Sequence, residues 1–85
     1  MNFLIGEYVK KITEEDIYNF ALNEGVKLLD YETKVIYSYI KKYWKVFIND
    51  DPTYLFKEIK FKVRNEVYDK IIKLYDKYKR QFIKR

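Results

Sequence analysis

Val67-Tyr68-Asp69-Lys70-Ile71-Ile72-Lys73-Leu74-Tyr75-Asp76-Lys77-Tyr78 is the stretch on which the fold turns. Val67, Ile71, Leu74, Tyr75 and Tyr78, continued by Phe82, step by three and four residues, the period of one helix face. Glu66/Lys70, Asp69/Lys73 and Asp76/Arg80 each place an acid four residues before a base, which adds about 0.2–0.5 kcal/mol per pair to a helix. The spacing predicts a long amphipathic helix at the C-terminal end of the chain.

Upstream, Leu55, Phe56, Ile59 and Val63 form the apolar stripe of a fourth helix. Asn49-Asp50-Asp51-Pro52 opens it, with Asp51 as N-cap and Pro52 at the first helical position. Asn65 caps a fifth helix, or the fourth and fifth are continuous; periodicity allows both. A third helix over about 31–43 carries Val35, Ile36, Tyr39, Ile40 and Tyr43, with Asp30 as its N-cap. The run Trp44, Val46, Phe47, Ile48 that follows reads as extended, but it is too short and isolated to make a sheet. Thr13-Glu14-Glu15-Asp16 has the spacing of a capping box, and the helix it starts runs to about Asn23 with Ile17, Phe20 and Ala21 inward. Gly25 is placed to end that helix in a left-handed conformation. Residues 2–11 make a first short helix with Leu4, Ile5, Tyr8, Val9 and Ile12 on one side. The expected fold is therefore all-α: a compact single domain, residues 1–85, of about five short helices.

Composition narrows function more by exclusion than by pointing. Eighty-five residues support one modest core. The chain holds no Cys and no His. There is thus no disulfide framework, and both the usual general base and the commonest transition-metal ligand are missing. The acid pairs Glu14/Glu15 and Asp50/Asp51 sit at helix starts, where capping accounts for them. No glycine-rich phosphate loop and no serine elbow occurs. No enzyme, cofactor or metal is expected. No apolar run approaches the roughly 20 residues of a membrane span, and the N-terminus has no basic region before its apolar stretch. A cytoplasmic protein is the expectation.

Charge is uneven along the chain, whose net is +5, with the excess of base in the second half. Lys70, Lys73, Lys77, Arg80 and Lys84 step along one side of the last helix, and Lys41, Lys42 and Lys45 form a second cluster. Together they make a candidate basic surface for sequence-independent nucleic-acid binding. The competing reading is a solvated face in a lysine-rich proteome, since the 15 lysines and 10 tyrosines match the codon bias of a low-GC genome. A helix-turn-helix is disfavoured because Val26 to Asp30 is longer than that motif's turn. Tyr18, Tyr31, Tyr37 and Tyr68 fall off the apolar stripes and form a candidate aromatic surface for a protein partner or a homodimer. A non-enzymatic interaction module is the leading expectation, and nucleic-acid binding the alternative.

The order of these signals resembles the YqfT-like proteins of low-GC Gram-positive bacteria, a family with no assigned activity. The resemblance rests on Lys11-Ile12-Thr13-Glu14-Glu15-Asp16-Ile17, Gly25-Val26-Lys27-Leu28, Phe47 to Asp50, Lys57-Glu58-Ile59, Asn65, Leu74-Tyr75 and Gln81-Phe82. Leu29 departs from the family's capping Thr, the loop before Pro52 is one residue longer, and Asn65-Glu66 replaces an Asn-Pro. What the resemblance implies is a small helical cytoplasmic protein.

Overall fold

A computed structural model describes the backbone of residues 2–83 and the side chains of residues 6–79. Its five helices are α1 (Asn2–Lys11), α2 (Glu14–Asn23), α3 (Asp30–Asn49), α4 (Thr53–Lys60) and α5 (Asn65–Ile83). The described residues contain no strand, and the Cα radius of gyration of 12.3 Å is that of a compact chain of this length.

Local chemistry explains most of the helix ends. Thr13 Oγ1 accepts the Asp16 N–H and Asp16 Oδ2 accepts the Thr13 N–H, so the capping box that starts α2 is complete. At the other end of α2, Val26 N–H donates to Ala21 O and Gly25 N–H to Leu22 O. This is a Schellman motif, and it requires the φ of +92° that Gly25 adopts.

The start of α3 differs from the expectation of an Asp30 cap. Leu29 is the N-cap: its carbonyl accepts the Thr33 N–H, and its own N–H donates to Glu32 Oε1 at 2.8 Å. Asp30 lies just inside, where its charge faces the positive end of the helix. The run after Tyr43 also differs, because it is helical rather than extended. A kink at Tyr43 (φ −119°, ψ 17°) bends α3 without ending it. The bend carries Phe47 onto Phe56 (ring centroids 5.4 Å apart) and Tyr75 (6.3 Å), and this packing outweighs the strand preference of the local sequence.

The start of α4 lies one residue later than expected: Pro52, not Asp51, is the N-cap and Thr53 the first helical residue, while Asp51 Oδ1, just outside, accepts both the N–H and the hydroxyl of Thr53. Pro52 stands half in the helix, its carbonyl accepting the Leu55 and Phe56 N–H groups. The fourth and fifth helices are separate. The N–H groups of Phe61 and Lys62 tighten onto Glu58 and Ile59, and the Arg64 N–H, which a continuous helix would use internally, donates to Glu32 Oε2 instead. Arg64 supplies the first carbonyl of α5, accepting the Tyr68 N–H, so Asn65 is the first helical residue and not the cap.

Ile17, Leu28, Tyr39, Leu55, Phe56, Ile59, Val63 and Val67 form the core. Fully burying a side chain such as Leu55 or Val67 is worth about 1.5–3 kcal/mol. On the first two helices, Tyr8 and Phe20 are more exposed than their expected stripes suggest, while Val9 and Ile17 are buried. Leu4, Ile5 and Phe82 have side chains outside the described residues.

Candidate interaction surface

The densest polar cluster among the described residues, Glu32 with Arg64, is structural. Glu32 has no exposed surface, and its carboxylate accepts four hydrogen bonds. Oε1 takes the Leu29 N–H and the Arg64 Nη2, and Oε2 takes the Arg64 N–H and Nε, all within 2.9 Å. Burial alone would raise the Glu32 pKa, but the guanidinium and the two backbone donors outweigh it and hold the carboxyl below its usual value. Arg64 also donates to Lys27 O and Glu66 Oε2. The fork therefore ties the start of α3 to the start of α5 and leaves no open acid or base for chemistry. Only a guanidinium offers this fork, which accounts for an Arg at a position of a chain otherwise rich in Lys.

The candidate lysines have divided roles. Lys41 Nζ donates to Val9 O and Lys10 O at 2.9 and 2.8 Å, closing the C-terminal end of α1, so it is committed to the fold. Lys42 and Lys45 are exposed, with their ammonium groups over the rings of Tyr43 and Trp44. On α5, Lys73 and Lys77 are exposed and Lys70 is half-buried. Exposed Glu66, Asp69 and Asp76 alternate with them, so the outer face of α5 is mixed in sign rather than a basic stripe. Glu66 pairs with Arg64 two residues back rather than with Lys70 four residues on. The side chains of Arg80 and Lys84 lie outside the described residues. Where α3 and α5 meet through rings, the contact is between Phe47 and Tyr75, while Lys42, Lys45, Lys73 and Lys77 lie on exposed positions.

The four candidate tyrosines divide as well. Tyr18, Tyr37 and Tyr68 are half-buried against the core, and only Tyr31 is mostly free, at 51% exposed. Periodicity puts them off the core face, but helices packed on both sides cover side chains at the stripe's margins. Among the described residues, the most exposed large apolar side chain is Phe61, at 89%, in the turn after α4. It went unmarked in the sequence, although it lies off the Leu55–Phe56–Ile59–Val63 stripe and among exposed Lys57, Lys60 and Lys62. Lys60 and Lys62 hold their ammonium groups over Tyr68 and Tyr39, 5.7 and 5.4 Å from the ring centroids. The neighbouring Glu58 is engaged by the Tyr39 hydroxyl at 2.7 Å, and this bond, with burial, raises the Tyr39 pKa.

At the opposite end of α4 lies an open cleft of about 490 Å³ between the α3–α4 turn and α5. Phe56, Ile72 and Tyr75 contribute apolar wall, and Asp50, Asp51 and Asp76 contribute carboxylates. The Thr53 hydroxyl and N–H hold the Asp51 carboxyl below its usual pKa. Lys79 is also in the cleft, its Nζ donating to the Tyr75 hydroxyl at 2.8 Å and lying over that ring. Among the described residues, no group of three or more His, Cys, Asp or Glu is arranged to hold a metal, and no helix is long and apolar enough to cross a membrane. Comparison with protein-family models, with curated proteins and with solved structures finds no match to this chain.

Proposed function

We propose that this chain is a non-enzymatic helical interaction module, acting in the cytoplasm, that binds a protein partner or a second copy of itself. The observation that carries the reading is Phe61: a phenyl ring 89% exposed in a turn whose backbone is pinned by Arg64 and Glu32. A large apolar side chain held out on rigid backbone loses little entropy on docking, the property of an interface anchor. Tyr54, near the start of α4, is also about half exposed. The alternative, nucleic-acid binding through α5, has less support, because acids interrupt its lysines and Lys41 is occupied by α1. Kinship with the YqfT-like family belongs to this proposal and rests on the residue pattern alone.

Sedimentation equilibrium of the purified chain, with a pull-down from native lysate by wild type and by Phe61→Ser, tests the reading. Self-association or a retained partner that depends on Phe61 is the expected result. A strict monomer that retains nothing refutes it.

A further inference from the structure

The Phe61 turn and the acid-rimmed cleft are complementary, and they belong to the same chain. We propose that a second copy of this chain docks by seating Phe61 in the cleft, with Lys60 and Lys62 against its carboxylates, and that two copies do so reciprocally. The proposal rests on the interaction-module reading and names its partner.

Size, charge and placement all point to this occupant. A cavity of about 150 Å³ accepts a benzene ring, so a cleft of about 490 Å³ has room for the Phe61 ring and a flanking ammonium. Three carboxylates face the cleft against the single ammonium of Lys79, which is drawn onto the Tyr75 hydroxyl. Exposed Lys57, Lys60 and Lys62 flank Phe61, and the one acid among them in sequence, Glu58, has its Oε1 engaged by Tyr39. Attraction between the two surfaces follows, and rejection of each surface by its own kind. Lys60 and Lys62 already rest over Tyr68 and Tyr39, so docking immobilises them at reduced entropic cost.

Placement supplies the symmetry. The cleft adjoins the first residue of α4 and Phe61 follows its last, so the two features are separated by an eight-residue helix, a rise of about 12 Å. Running α4 of a second copy antiparallel to the first brings each Phe61 to the other's cleft. Two equivalent contacts then form about a two-fold axis, and the assembly closes at two copies. The contact is at the small end of protein interfaces, so the dimer is weak and salt-sensitive.

Charge exchange between the surfaces provides the test. One variant carries Lys60→Glu and Lys62→Glu; the other carries Asp50→Lys and Asp76→Lys. Asp51 is left in place because it holds the N–H and hydroxyl of Thr53 at the start of α4. Circular dichroism confirms that each variant folds, and sedimentation equilibrium up to millimolar concentration measures association. Wild type is expected to dimerise, about tenfold more weakly in 0.5 M than in 0.05 M salt. Each variant alone, and Phe61→Ser, is expected to weaken association at least about tenfold. An equimolar mixture of the two charge variants is expected to recover it, because each acidic turn then meets a basic cleft and each basic turn an acidic one. A folded wild type that stays monomeric, a Phe61→Ser variant that still dimerises, or a mixture without recovery overturns the proposal. A monomeric wild type that retains a native protein through Phe61 overturns self-docking alone and leaves the interaction module standing.

Discussion

Replacing Glu32 by Gln keeps the side chain's shape and removes its charge. All four groups bonded to the carboxylate are donors, two on each oxygen. An amide has one oxygen and one NH2, and the NH2 cannot accept. Whichever way the amide turns, two donors lose their acceptor: Leu29 N–H with Arg64 Nη2, or Arg64 N–H with Nε. An unsatisfied donor at a buried site costs about 1–3 kcal/mol, so Glu32→Gln, which orphans two, should destabilise by about 2–6 kcal/mol. A domain of this length has only about 4–13 kcal/mol in total. At about 4–8 °C per kcal/mol, a loss of about 3 kcal/mol lowers Tm by about 12–24 °C. Urea titrations followed by circular dichroism and Trp44 fluorescence measure it. The pH dependence adds a second check. The folded pKa of Glu32 lies below the ordinary 4.5. The carboxylate's contribution is therefore fully present above about pH 4.5 and fades as pH falls through the lower folded value. The gap between wild type and Glu32→Gln should thus narrow as pH falls below 4.5. A difference under about 0.5 kcal/mol at pH 7, or a gap that does not narrow on acidification, would refute the role assigned to the fork.

Three further outcomes follow from the fold. Gly25→Ala meets no atom within 4 Å but must hold φ at +92°, so it should cost about 1–2 kcal/mol, and Gly25→Asn less; equal stability of Gly and Ala in denaturant titration would contradict the Schellman turn. Tyr39→Phe removes one hydrogen bond to an exposed carboxylate and should cost about 0.5–1.5 kcal/mol at pH 7. The raised pKa of Tyr39 means its contribution is present below about pH 10 and is lost above, so the stability curves of wild type and Tyr39→Phe should meet in strong alkali. Lys41→Met deprives Val9 and Lys10 of their side-chain donor and should reduce helicity by circular dichroism by about the signal of α1, with Trp44 fluorescence shifting to the red; an unchanged spectrum would show that α1 is held without it.

Short-range chemistry was readable in the sequence. Thr13 with Asp16, and Gly25, act within a few residues of each other, and their cap and turn lie where spacing put them; Asp51 and Pro52 mark the right boundary, but the cap falls one residue later, on Pro52. What escaped was decided across distance. Leu29 caps α3 in place of Asp30 because Glu32 is drawn to Arg64, 32 residues away. The run Trp44 to Ile48 suits a strand as well as a helix, and only Phe56 and Tyr75 choose between them. The candidate surface was half legible for the same reason. Exposed Lys42, Lys45, Lys73 and Lys77 could be read from periodicity. The burial of Tyr18, Tyr37 and Tyr68, the capture of Lys41 by α1, and the exposure of Phe61 at a pinned turn depend on neighbours no local pattern names.

The position of α1 has a consequence for motion. Its residues grip α3 on both sides of the bend at Tyr43: Val9 and Lys10 through Lys41 before it, and Gly6 through the Trp44 ring, which would lie 3.0 Å from any Cβ placed there, after it. The first helix is thus a splint across a joint. Release of α1 would let the two halves of α3 straighten, and straightening would draw Phe47 off Phe56 and Tyr75. Amide hydrogens at 44–49 should then exchange at the rate set by α1 detachment rather than by fraying of their own helix.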